Sequence, residues 1–200
     1  KVTDVNGYNI SCVATINSAK TKITINPVGN FTSGQTIYAA IGGTVEDFFD
    51  NAISAASATF TVADNLPPTY VFNPQDTEIN VAVSSNLTIT FNEAVRNIND
   101  TALTDSNVDS LITLKDTDAN GSNIAFNATI DADKKIITIN PTSSFSSEQE
   151  VYLAIGATVE DSSDNAITSG SSSFTAVDSN PPDVEFFPTN SSTGVAVNSD

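Results

Sequence analysis

The residues with chemical potential in this chain are acids, and they fall in short, spaced groups. Asp116-Thr117-Asp118-Ala119-Asn120-Gly121 has the D-x-D-x-N-G spacing of a calcium loop, in which carboxylates at alternate positions face one ion and glycine permits the sharp turn. The bidentate Glu that completes such a loop is replaced by Asn127, so an Asn-Gly hairpin end is the competing reading. A second group, Glu160, Asp161 and Asp164, returns upstream as Glu46, Asp47 and Asp50. Hard oxygen donors of this kind suit Ca²⁺, which takes six to eight oxygens, whereas a solvated turn rich in Asp and Asn is the plain alternative. Histidine is absent, so Ser-His-Asp and Cys-His catalysis are excluded and a zinc site is disfavoured. No enzymatic activity is expected.

The acids return because the chain repeats. An offset of 114 (141 − 27) carries Ile25-Asn26-Pro27 to Ile139-Asn140-Pro141, Tyr38 to Tyr152, Thr44-Val45-Glu46-Asp47 to Thr158-Val159-Glu160-Asp161, and Pro67-Pro68 to Pro181-Pro182. Such self-similarity marks a repeat array. The expected division is the back part of one repeat at 1–68, a whole repeat at 69–182, and the start of another at 183–200. Cys12 occupies the place of Phe126 and is expected to be a small buried residue rather than a reactive thiol.

Within 69–182, apolar residues alternate with polar ones in short runs: Leu87, Ile89, Phe91; Ile112, Leu114; Ile124, Phe126, Ala128, Ile130; Ile137, Ile139; Val151, Leu153, Ile155; and a run around Phe174. Period two is the signature of half-buried strands. With Tyr70–Phe72 and Val81–Val83, seven or eight strands are predicted, forming an all-β, immunoglobulin-like antiparallel sandwich. Tyr38 and Tyr152 are expected to act as tyrosine corners, each hydroxyl bonding to backbone across a loop.

The order of Pro-Pro, strand, Asn73-Pro74, Val81-Ala82-Val83 and Leu87-Thr88-Ile89-Thr90-Phe91-Asn92-Glu93-Ala94-Val95 resembles the bacterial Ig-like domain of S-layer proteins and giant surface adhesins. The later stretch, Ile137 to Pro141, Phe145, Tyr152 and Val159 to Ile167, is similar to the second half of that pattern. Where the family often has Gly before Asn in the last loop, this chain has Asp50 and Asp164. The resemblance implies an extracellular, cell-surface spacer or adhesin module in an extended rod of tandem domains. It implies neighbouring repeats as partners, with a glycan or protein ligand engaged elsewhere or, alternatively, by the module itself. A self-assembling lattice or filament subunit is a third reading.

Lys+Arg 7 against Asp+Glu 24 gives a net charge of −17, a field that repels nucleic acid and anionic membranes and draws cations. No run approaches the ~18 apolar residues of a membrane span. Following the strands up and down places Glu93, Asp161 and Asp164 at one pole with Asp64 of the Pro-Pro linker. Asp64, Glu93, Asp161 and Asp164 are therefore the expected Ca²⁺ ligands, with Asp116, Asp118 and Asn120 as a weaker second set.

Overall fold

The computed structural model describes residues 1–187 and 189–194. Its strands are β1 (Cys12–Ile16), β2 (Ile23–Pro27), β3 (Thr36–Ile41), β4 (Ala56–Thr61), β5 (Tyr70–Asn73), β6 (Glu78–Val81), β7 (Leu87–Phe91), β8 (Arg96–Asn97), β9 (Ile112–Asp116), β10 (Phe126–Ile130), β11 (Ile136–Pro141), β12 (Glu150–Ile155), β13 (Val159–Glu160) and β14 (Gly170–Ala176). One 3-10 turn covers Val108–Leu111. The contacts divide the chain into two compact units. The first is Lys1–Thr69 with Asn92–Ala102 and Thr158–Ile167; the second is Tyr70–Phe91, Leu103–Ala157 and Thr168–Asp200.

The second unit is a β-sandwich of two four-stranded sheets, ordered β10-β11-β7-β5 and β6-β14-β12-β9. Alternation writes the core directly, because successive side chains of a strand point to opposite faces. Leu87, Ile89 and Phe91 of β7, Ile137 and Ile139 of β11, and Val151, Leu153 and Ile155 of β12 are buried while their neighbours are not. Phe174 of β14 stacks edge-on against Phe145 at 5.5 Å. Ser172, the one buried polar residue of this unit among the described residues, donates its hydroxyl to the Pro74 carbonyl at 3.0 Å.

Three details depart from the sequence reading. One pair is parallel: β6 runs alongside β14 through a register shift. Only residues 74–77 separate β5 from β6, and a strand that switches sheets across so short a bend need not reverse. The run from Ile124 to Ile130 is split, since Ile124 N–H bonds to the Leu114 carbonyl beside β9 and only from Phe126 does the chain join β11. The tyrosine whose hydroxyl reaches backbone across a loop is Tyr70, which donates to the Thr168 carbonyl at 2.8 Å, whereas Tyr152 lies within β12 between Ser173 and Lys115. Burial pushes the Tyr70 hydroxyl pKa up. A Cβ at Gly170 would meet that hydroxyl at 2.3 Å, which accounts for the glycine.

The free edge of β10 is closed by acids rather than by a strand. Asp109 accepts the Ala128 N–H at 2.6 Å and Asp105 accepts the Ile130 N–H at 2.9 Å. Such inward use of charge protects an edge from foreign pairing. Leu103 and Val108, buried completely on the same segment, anchor it.

The first unit holds two separate hairpins, β1–β2 and β3–β4, and the two-residue ribbon β8–β13. The hairpins reproduce those of the sandwich at the offset of 114: Cys12↔Pro27 corresponds to Phe126↔Pro141, and Ile37↔Phe60 to Val151↔Phe174. Cys12 is exposed, contrary to expectation. Every residue of β1 and β2 is exposed, because no sheet lies over them among the described residues. The expected start of a further repeat at 183–200 falls partly on residue 188 and residues 195–200, outside the described residues.

Candidate metal centre

Three segments of the first unit bring carboxylates together. Asp64 follows β4, Glu93 follows the last residues of β7, and Asp161 follows β13. One oxygen from each lies within 4.8 Å of the others, with Asp161 buried and the other two partly so.

Asp161 organises its own loop. Its Oδ1 accepts the N–H groups of Ser163 at 2.7 Å and Asn165 at 3.0 Å, and its Oδ2 accepts the Asn165 side-chain amide at 2.8 Å. Desolvation is the largest influence on this carboxyl and pushes its pKa up. The Asn165 and Ser163 hydrogen bonds, with the charge of Arg96, together outweigh it and hold the carboxyl below its ordinary value. Asp47, 114 residues upstream, makes the same loop with Asn51 and Phe49, whose hydrogen bonds depress it likewise, the Asn51 side chain first. Of about four lone-pair sites on a carboxylate, Asp161 spends three on the loop.

Asp64 is tied to the hairpin beside it. It accepts the Ser33 hydroxyl at 2.7 Å and the Leu66 N–H at 3.2 Å, and its backbone carbonyl accepts the Asn165 side-chain amide at 3.3 Å. Asp178, 114 residues on, repeats the arrangement with Ser147 and the Asn180 N–H. Glu93 receives the Asn92 side-chain amide at 3.4 Å. The set is all oxygen and carries three negative charges, which fits a hard cation such as Ca²⁺ in donor chemistry.

Asp164 is not part of this group. It lies with Asp100 and Glu160 around the chain's only arginine. Arg96 pairs with Asp100 at 2.6 Å, with Asp164, and through Nε with Glu160 at 3.3 Å without hydrogen-bond alignment. The β8–β13 register sets this contact by placing Arg96 opposite Glu160. Arg96 and Asp100 carry no periodicity or motif that sequence reasoning could use. The signal available was the presence of a single arginine beside a core strand in so acidic a chain.

The Asp116–Gly121 loop is a hydrogen-bonded hairpin end. Asp116 accepts the Ser122 N–H at 2.6 Å, Asp118 accepts the Asn120 N–H at 2.7 Å, and the Lys115 ammonium caps the Ala119 carbonyl at 2.9 Å. A Cβ at Gly121 would fall 1.6 Å from the Asp116 carbonyl oxygen, so the glycine serves this close approach. The upstream loop copies it with Val2 in place of Asp116 and Lys1 bonded to the Val5 carbonyl.

Phe48 and Phe49, which replace Ser162 and Ser163 at the offset of 114, stand 96% and 81% exposed in an edge-on pair at 6.0 Å. Among the described residues no helix is long and apolar enough to cross a membrane.

A family model described as bacterial Ig-like domain matches residues 64–176. No curated protein matches the chain. Among solved structures, CopC from Methylosinus trichosporium OB3b is similar at 16% identity and a TM-score of 0.38, over 57% of this chain and 98% of that one. The family is not one of enzymes, its model covers more than half of the sequence, and the sandwich of β5 to β14 has the architecture it describes, so the chain belongs to the bacterial Ig-like domain family.

Proposed function

We propose that the chain is a structural stretch of a long extracellular surface protein, a spacer of tandem Ig-like repeats divided at 1–68, 69–182 and 183–200. In this reading calcium stiffens the linker between repeats. The observation that carries it is the meeting of Asp64, Glu93 and Asp161 from three distant segments, with carboxylate oxygens within 4.8 Å. Unshielded, three like charges at this spacing push linker and loops apart. A divalent ion accepted by the remaining lone pairs reverses that repulsion and ties the linker to the loop. Pro67-Pro68 and Pro181-Pro182 bias each connection toward extended backbone, which favours repeats stacked end to end in a rod.

Thermal melts of the chain with and without millimolar calcium test this. Stabilisation by a bound ion grows as RT ln(1 + [L]/Kd), about 2.7 kcal/mol at a hundredfold excess. Glu93→Gln with Asp64→Asn should remove the calcium response, whereas Asp164→Asn, which acts on Arg96, should keep it. A chain that binds no calcium by calorimetry would reduce these acids to a hydrogen-bonded surface. A second reading, a module that binds glycan or protein, is favoured by the exposed Phe48-Phe49 pair; retention on a glycan array that Phe48→Ser with Phe49→Ser abolishes would support it.

A further inference from the structure

A covalent weak point is built into the hairpin end after β9. Of the asparagines between 69 and 182, Asn120 is the only one followed by glycine. The fold fixes that neighbour, because a Cβ at Gly121 would collide with the Asp116 carbonyl and carboxylate oxygens. Asn120 is exposed, and its turn rests on two bonds to Asp118: Asn120 N–H to Oδ1 at 2.7 Å and Gly121 N–H to the carbonyl at 3.0 Å. The chain makes this turn twice. Asn6 and Gly7 donate to Asp4 in the same way at 2.7 and 3.1 Å, and a Cβ at Gly7 would collide with the Val2 carbonyl.

An asparagine amide is thermolabile, and a backbone nitrogen whose own residue has no Cβ is the least hindered nucleophile that a chain can set beside it. Attack of Gly121 N on Asn120 Cγ closes a five-membered imide. The bond from Cγ to the side-chain nitrogen breaks, and that nitrogen leaves as ammonia, carrying the Gly121 proton. Water then adds to either imide carbonyl. Breaking the bond from nitrogen to Cγ yields aspartate on an ordinary chain. Breaking the bond from nitrogen to the main-chain carbonyl carbon yields isoaspartate, with the chain now running through Cγ. Amide and water become carboxylate and ammonium, and no oxidant or other co-reactant is needed.

We propose that Asn120-Gly121 is a site of this spontaneous modification, and that its isoaspartyl product unlatches the strip covering the outer edge of β9. Residues 122–124 lie along that edge. Asp116 N–H bonds to the Ser122 carbonyl at 3.0 Å, Lys115 bridges to Asn123, and Ile124 N–H bonds to the Leu114 carbonyl at 3.0 Å. Ser122 N–H on Asp116 Oδ1, at 2.6 Å, locks the end. β9 is the last strand of its sheet, so this strip pairs its outer side. Isoaspartate lengthens the main chain by one carbon just before Gly121. The glycine then cannot keep both its bond to Asp118 and its close approach to Asp116, and 122–124 lose their register on β9. Ordinary aspartate changes the charge and keeps the path of the chain. An edge opened in this way is a template for foreign pairing. The inference rests on backbone chemistry and does not depend on calcium.

The test ages the full chain in mildly alkaline buffer with EDTA, beside the same chain unfolded in guanidinium, and maps the peptides by mass. In the folded chain, conversion of amide to acid should be confined to Asn120 and Asn6, whereas Asn127 and Asn165, each followed by alanine, stay amides. The isoaspartyl fraction is marked by enzymatic methylation of its free α-carboxyl. In that fraction the Ile124 amide should exchange faster by about tenfold or more, since its protection depends on the latched strip. Asn120→Asp, which carries the charge on an ordinary chain, should exchange at the parent's rate. Asn120→Gln, whose attack needs a six-membered ring, should age without loosening the strip. A folded chain that keeps the Asn120 amide intact when the unfolded chain has converted would overturn the proposal. An isoaspartyl fraction whose Ile124 exchanges as slowly as the parent's would also overturn it. So would an Asn120→Asp variant loosened to the same degree, since charge rather than chain length would then be the cause.

Discussion

Asn165 grips the Asp161 carboxylate twice, its backbone N–H on Oδ1 at 3.0 Å and its side-chain amide on Oδ2 at 2.8 Å. The same amide reaches the Asp64 carbonyl at 3.3 Å, so one asparagine ties the loop to the segment after β4. Asn165→Ala keeps the backbone bond and loses the side-chain ones. With Asp161 buried, the cost should be about 1.5–3 kcal/mol, the range for a hydrogen bond to a charged group. Asn51→Ala makes the same deletion around the exposed Asp47, where water replaces the lost donor, and should cost much less. Paired chemical denaturations of the two variants would measure the difference; equal losses would contradict the role of burial.

Acid should act through the same loop. The folded pKa of Asp161 lies below its ordinary value, so the folded state holds this proton more weakly than the unfolded chain, whose aspartates titrate near 3.9. The stabilisation is fully present above that unfolded value and is lost as pH falls through the depressed folded one. Asp131 and Asp178, depressed as well, add to the same acid limb. For Asp131 burial raises the pKa most strongly as a single influence, and the N–H groups of Ile136 and Lys135 with the Lys134 charge outweigh it. Asp161→Asn should be less stable than the parent at neutral pH yet lose less between about pH 5 and 2. Parallel melting curves across that window would count against the assignment.

The sandwich strands were legible because burial of one face imposes period two, and Leu87-Thr88-Ile89-Thr90-Phe91 shows it without interruption. Two-residue elements carry no period, so the β8–β13 ribbon that positions Arg96 on Glu160 was invisible. The acids near 160 stood out through their repetition. Repetition could not show that Asp161 accepts hydrogen bonds from its own loop while Asp164 pairs with Arg96. Cys12 was misjudged because the sequence of a hairpin is the same whether or not a partner sheet lies on it.

Arg96 is the counter-charge for a buried acid. Glu160 is 5% exposed, and removing the guanidinium leaves its carboxylate in a poorly solvated place. Breaking a fully buried pair costs about 3–5 kcal/mol. The guanidinium keeps some contact with water and its Nε lacks hydrogen-bond alignment, so Arg96→Met should cost on the order of 2 kcal/mol on the same scale. Adding Glu160→Met should recover most of that loss, because the stranded charge is then gone. A double variant no more stable than Arg96→Met would mean that the pair is incidental to the ribbon.

Phe174 and Phe60 give a matched measurement of what a second sheet contributes. They occupy the same position at the offset of 114, pair with Val151 and Ile37 in the same register, and stack on Phe145 and Phe31 in the same edge-on manner. They differ in cover, with Phe174 2% exposed and Phe60 48% exposed. Truncating a buried phenylalanine costs about 3–5 kcal/mol through lost transfer energy and the cavity left behind. Phe174→Ala should fall in that range. Phe60→Ala removes a side chain already half in water and opens no closed cavity, so it should cost below about 1.5 kcal/mol by the area it withdraws. Calorimetry on the two variants reads both numbers in one chain, and a Phe60→Ala loss as large as that of Phe174→Ala would show that the first hairpins are covered in solution.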